Sequence, residues 1–213
     1  MRPLHFGLAL FLAALGSAHG AVPDYNGPQP DRTVSGAATA VFAGGCFWGV
    51  DAVFKHVNGV TNVLSGYAGG SAATAKYPIV GTGTTRHAES VQITYDPTKI
   101  SYADLLKVFF SVAHDPTQLN RQGPDTGPQY RSAIFYVNEQ QKEIAQRYID
   151  QLTKAKAFSK PIATEVSPLE KFYPAEDYHQ NYLALHPTQP YIVFNDLPKI
   201  GELKKEFPNW YRP

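Results

Sequence analysis

The sequence is short of sulfur. Its 213 residues include one cysteine, Cys46, and one methionine, Met1. No disulfide can form within the chain. A lone thiol is an intermolecular link, a buried bystander or a reactive group. Charge is also sparse and balanced, with a net of +1 and no Lys/Arg run, so composition gives no case for nucleic acid or an anionic membrane as partner. Long apolar runs are absent beyond Leu4 to Leu15, which is too short to favour a spanning helix.

That run follows Met1-Arg2-Pro3 and precedes the small residues Gly16 to Ala21. The pattern is that of a secretory signal peptide, residues 1–20, cut near 18–21. Export to a periplasm or to the outside is expected. Cleavage would leave a chain without methionine, useful in an oxidising setting. Residues 21–36, rich in Pro, Gly, Asp and Asn, read as a flexible leader. Residues 37–213 are long enough for one domain with a sizeable core.

Periodicity predicts strands at 39–43, 60–67, 87–95, 131–137 and 164–166. Helices are expected at 47–57, 102–112, 139–155, 176–185 and 197–207. Residues 68–86 and 114–129 read as long irregular segments, which are often functional in a compact domain. The order β-α-β-β-α-β opens as a split βαβ unit. The expected class is α+β, a plait-like, ferredoxin-like mixed sheet with helices on one face and an irregular, helical tail.

Cys46 falls where a strand and the Gly44-Gly45 turn meet a helix. A helix N-terminus favours an anion, and the thiolate is the nucleophilic form, so position argues for an activated Cys46. Phe47 has core spacing with Val50 and Phe54. Trp48 lies about 100° further round and falls off that stripe, where its indole walls the thiol. Alone, the other candidates have ordinary readings. Glu89 on an alternating strand reads as a solvated carboxylate, Tyr77 and Tyr130 as two of thirteen tyrosines, and Asp125 as a turn residue. His87, His114 and His179 lack the short paired spacing of a metal site and read as structural hydrogen bonders.

Five segments change that balance: GCFWGV at 45–50, GYAGG at 66–70, HAESV at 87–91, HDPTQLNRQGPDTGPQYRSAIFY at 114–136 and AEDYHQNYL at 175–183. Together they resemble the peptide methionine sulfoxide reductases of the A type, in order and spacing through about 37–185. The resemblance implies reduction of the S epimer of methionine sulfoxide, free or in oxidised proteins and peptides. It makes Cys46 the nucleophile and leaves it as a sulfenic acid. It makes Glu89 the proton donor, and Tyr77 and Tyr130 the hydroxyls that hold the sulfoxide oxygen. Asp125 would organise the site through water or Tyr130, and Phe47 and Trp48 would form the pocket for the S-methyl group. No bound cofactor and no metal are implied, and a monomer is expected.

The chain departs from that family in three places. Members often carry resolving cysteines near the C-terminus, and 191–213 has none. Recycling of Cys46 then falls to an external thiol, either a thioredoxin-like protein or glutathione with glutaredoxin. Arg86 stands where Gly is common, adding a cation that would favour the Cys46 thiolate. Pro128 replaces a usual Thr two residues before Tyr130 and removes an N–H. Two rivals remain open on sequence. One is a cysteine hydrolase pairing Cys46 with His87, His114 or His179; the other is a module that grips methionine with Phe47 and Trp48 and performs no chemistry.

Overall fold

A computed structural model describes residues 20–28 and 36–213. The signal peptide expected over 1–20 lies almost wholly outside the described residues. Strand β1 (Ala38–Gly44) leads through Cys46 into helix α1 (Phe47–Lys55), and β2 (Val60–Ala68) and β3 (Ala88–Tyr95) follow. Helix α2 (Tyr102–Val108) runs on as a wider π turn to Ala113. Then come β4 (Ser132–Tyr136), α3 (Glu139–Lys154), β5 (Glu165–Pro168), β6 (Phe172–Pro174) and α4 (Leu197–Glu206).

These six strands form one sheet in the order β5-β4-β1-β3-β2-β6. Its centre, β4-β1-β3-β2, is the plait expected of a split βαβ unit, with each neighbouring pair antiparallel. Strand β6, which the periodicity does not reveal, pairs with β2 through only three residues. Strand β5 is parallel to β4, so the sheet is mixed.

Alternation along β1 sends Ala40 and Phe42 to one face and Val41 and Ala43 to the other. The first face carries the larger cluster, where Phe42 stacks on Phe109 at 4.9 Å and packs against Phe54 and Tyr102. The second face is a thinner layer of Val41, Ala43, Ala68, Ala88, Ala133 and Phe135.

The same alternation on β3 places Glu89 in register with Val91, Ile93 and Tyr95, which all enter the larger cluster. Glu89 is therefore carried inward, under the start of α1, and is 2% exposed. The solvated reading of Glu89 does not hold.

Helix α1 is held at both ends. Its first N–H, that of Phe47, donates to Glu89, while its last carbonyls take the C-terminal tail: Arg212 donates from its backbone to His56 and from Nε to Lys55. The flexible leader expected over 21–36 is not what residues 22–26 form. Val22 and Tyr25 are buried, Asp24 pairs with Lys107 at 2.6 Å, and Tyr148 donates its hydroxyl to the Pro23 carbonyl. These contacts fix the strap across α2 and α3, and the apolar Val22 and Tyr25 outweigh the local Pro/Asp/Asn signal. The helix expected at 176–185 breaks into two single turns, Asp177–His179 and Tyr182–Leu185, because Asn181 between them is left-handed at φ 56°.

Candidate active site

Cys46 is the N-cap of α1, and its side chain makes no capping bond there. Gly45 before it has φ +91°, a region that favours glycine, and a Cβ there would sit 2.5 Å from the Gln122 side chain. This turn sets the sulfur at the floor of a recess of about 210 Å³, lined by Cys46, Phe47, Trp48, Tyr77, Glu89, Asp125, Tyr130 and Tyr191. All seven residues singled out from the sequence thus meet at one place. Tyr191 joins them unannounced: one of thirteen tyrosines in a tail with no motif around it, it gave no sequence signal.

The electrostatics differ from the simple helix-terminus picture. Cys46 keeps one face open to the recess, but protein encloses the rest. That burial pushes the thiol well above its usual range, and the carboxylates of Glu89 and Asp196 push the same way. The Trp48 backbone N–H aimed at the sulfur pulls down, and loses. The activated thiolate expected from position is therefore not the resting form; desolvation outweighs the helix end. Arg86 does not help. Its side chain is exposed and does not line the recess; its carbonyl instead accepts from Arg131.

Glu89 is shifted alike. Burial raises it from 4.5 to about 8; the Phe47 N–H, donating to Oε2 at 3.1 Å, offsets this only in part. At neutral pH Glu89 is an uncharged acid. Oε2 must accept from an amide that can only donate, so the acidic proton belongs on Oε1. The resting site therefore holds a thiol beside a carboxylic acid, with no net charge on either.

Tyr77 begins the short helix Tyr77–Val80, and its backbone N–H is tied to Glu176 Oε1 at 2.9 Å. Tyr130 closes the turn Pro128–Tyr130. Pro128 sits at the first position of that turn, where a missing N–H costs nothing, and Tyr130 still reaches the recess. Burial holds both phenols above their ordinary value, so both are neutral donors. Asp125 raises Tyr130 further by its charge. Asp125 Oδ2 accepts a hydrogen bond from the Tyr191 hydroxyl. Burial raises Asp125, while Tyr191 and Lys199 pull it back.

Trp48 leaves the core stripe, as its spacing requires. Tyr182 stacks on it at 3.7 Å and 6°, Tyr191 meets it edge-on, and Nε1 donates to His179 Nδ1 at 3.2 Å. The three histidines are engaged away from the sulfur. His87 contacts the Ser71 carbonyl, His114 lies between the Phe109 carbonyl and Ser132, and none lines the recess. A hydrolase would need one of them as base for Cys46. Among the described residues no three His, Cys, Asp or Glu side chains gather as a metal-holding group.

A nucleophilic sulfur, a neutral acid, two phenols and an aromatic wall suit oxygen transfer from a small sulfoxide. Residues 38–210 match the family described as peptide methionine sulfoxide reductase. The chain belongs to that family. It is 60% identical over 181 residues to the peptide methionine sulfoxide reductase MsrA 2 of Mesorhizobium japonicum, covering 85% of this chain and 93% of the relative. An MsrA of Thermus thermophilus is 50% identical, over 82% of this chain and 97% of its own. Among solved structures, reduced Mxr1 of Saccharomyces cerevisiae superposes with a TM-score of 0.66 at 35% identity, covering 72% of this chain and 87% of that one. Methionine sulfoxide reductase A of Corynebacterium diphtheriae gives 0.62 at 36%, over 82% and 89%. Like these relatives, this reductase is an oxidoreductase of α+β architecture.

Proposed function

We propose that this reductase removes oxygen from the S epimer of methionine sulfoxide, free or within oxidised proteins, with Cys46 as the nucleophile that is oxidised in return. The observation that carries the reading is the neutral, buried Glu89 beside a lone thiol, inside an aromatic recess. A bare oxide is a poor leaving group, so the sulfoxide oxygen must gain a proton as its bond to sulfur breaks. Glu89 Oε1 supplies it. Protonation makes the sulfoxide sulfur electrophilic enough for Cys46 Sγ to attack.

The thiol proton passes to the Glu89 carboxylate, which restores the acid. The substrate hydroxyl takes a second proton from Glu89 and leaves as water as the S–O bond breaks, which leaves methionine joined to Sγ as a sulfonium. A water then adds to Sγ and returns its proton to Glu89. The S–S bond breaks with its electron pair on methionine, and Cys46 ends as a sulfenic acid while methionine leaves as the thioether. The protein gains one oxygen and the substrate loses one. Tyr77 and Tyr130 donate to the oxygen as charge builds on it and stay neutral throughout. Phe47 and Trp48 take the S-methyl group. Asp125, held by Tyr191, fixes the far side of the recess.

Recycling follows from the cysteine count. An external thiol attacks the sulfenic acid, releasing water and leaving a mixed disulfide on Cys46. A second thiol resolves it. A thioredoxin-like protein, or glutathione with glutaredoxin, fits this chemistry. The apolar run at Leu4–Leu15 supports export, and the N-terminus of protein recovered outside the cytoplasm should then fall near residues 18–21.

Steady-state turnover of each epimer with a small dithiol as reductant tests the core of the reading. Activity on the S epimer alone, abolished by Cys46→Ser, is the expected result. Hydrolysis of an ester by Cys46, or binding without turnover, would replace it.

A further inference from the structure

The export signal leaves a choice of bond near residues 18–21. Two bonds there have small residues one and three places before them, the pattern a signal peptidase reads. One follows Gly16-Ser17-Ala18, the other Ala18-His19-Gly20. The fold treats the two resulting N-termini differently.

Gly20 and Ala21 are exposed, and Val22 is buried, so the anchored strap begins at Ala21. From there it is tied to three helices. The Ala21 N–H donates to Glu206 Oε2, at the end of α4, at 3.2 Å. The Val22 N–H donates to the Ser111 hydroxyl, on the π turn that continues α2. On α3, Gln151 donates to the Asp24 carbonyl and accepts from the Asn26 N–H.

The tie at Ala21 is made for a cation. Glu206 is the last residue of α4, where the carboxylate and the negative end of the helix both favour positive charge. Lys205 Nζ reaches Glu206 Oε1 at 2.9 Å, while Oε2 faces the Ala21 nitrogen. As an amide, that nitrogen is a neutral donor. With the bond before it cut, the same atom becomes an ammonium and the contact a charge-assisted one. A chain cut after Ala18 would carry its amine two residues upstream and keep the amide at Ala21. Proteolysis needs exposed, unanchored chain, and Val22 is buried one residue beyond the bond. The cut therefore precedes docking of the strap.

We propose that the export signal is removed between Gly20 and Ala21, and that Glu206 is the receptor for the amino group this creates. The mature chain then gains a charged tie between strap and α4 that the precursor lacks. The proposal rests on the export reading above.

The full chain is expressed with its own N-terminal signal in an exporting bacterial host, and the protein outside the cytoplasm is sequenced from its N-terminus. Ala21 is the expected first residue. His19 or Val22 in that place overturns the proposal and leaves export intact. A chain that stays uncut overturns the proposal and the export reading together.

The receptor role is read from the rate at which acetic anhydride acylates the Ala21 amine at pH 7.5, followed by the mass of the N-terminal peptide. Only the neutral amine reacts, and the ion pair holds it protonated. The parent should react about three- to fivefold more slowly than Glu206→Gln, the size of an exposed ion pair. High salt should narrow the gap. Lys205→Ala removes the rival cation and should slow the reaction further, which keeps the role testable if the glutamine variant folds poorly. Equal rates in the parent and a folded Glu206→Gln, or faster acylation in Lys205→Ala, overturn the receptor role.

Discussion

Replacing Glu89 with glutamine should make the protein more stable, by an amount that depends on pH. Folding raises this carboxyl from 4.5 to about 8, chiefly by burying it. Between those values the unfolded chain gives up a proton that the folded chain keeps. The folded state then binds more protons, so stability falls as pH rises through this window. At about 1.4 kcal/mol per unit, the cost is about 3 kcal/mol at pH 7 and about 5 kcal/mol above pH 8. Glutamine cannot ionise and can still accept from the Phe47 N–H. The gap between Glu89→Gln and the parent should be near zero at pH 4.5, widen through neutrality and level off above pH 8. Urea unfolding at half-unit steps measures it directly. A gap that does not change with pH, or a glutamine variant less stable throughout, would refute a buried, protonated Glu89. The same variant should lose at least about a hundredfold in turnover, since it can no longer protonate the oxygen. Stability and activity are opposed at this position because a buried acid is useful only in its costly environment.

Three further outcomes follow from the same geometry. Turnover of the S epimer should decline above pH 8 as Glu89 ionises; a rate that stays level to pH 9.5 would remove it as the acid. His114 is buried neutral and lowered from 6.5 to about 3, so acid takes stability away: about 1.4 kcal/mol per unit below pH 6.5, until the folded protein also protonates near pH 3. His114→Phe should flatten that slope in urea titrations between pH 7 and pH 4, and an unaltered slope would assign it elsewhere. Gly49→Ala would drive a Cβ into Asp196 Oδ1, in a fully buried contact. A loss of about 1–3 kcal/mol is expected in urea unfolding, and a neutral result would mean that the Asp196 side chain can withdraw.

Much of this site was legible because its chemistry is local. The strand, the glycine turn and the helix around Cys46 follow from periodicity. The 100° step of a helix separates Phe47 in the core from Trp48 at the recess. What periodicity could not supply was burial. Glu89 alternates with its neighbours whichever face is inward, and only the packed sheet shows that the Glu89 face is the core face. The resting state of the thiol is not legible for a related reason, since helix position is written in the sequence and desolvation is not. Tyr191 and Asp196 act through side chains brought from the C-terminal segment beyond the last quoted motif, where no repeat marks one residue above another. The strap at 22–26 was missed because its Pro, Asp and Asn describe a loop, while its anchoring depends on α2 and α3 presenting a surface to it.

The central claim is that one cysteine takes up the oxidation and has no partner in the chain. Protein free of reductant should be mixed with the separate S and R epimers of a blocked methionine sulfoxide, and the methionine formed per chain counted. The account predicts about one methionine from the S epimer, none from the R epimer, and a Cys46 that has lost its free thiol and gained one oxygen by mass. No methionine with an intact thiol, or methionine formed by Cys46→Ser, would contradict it.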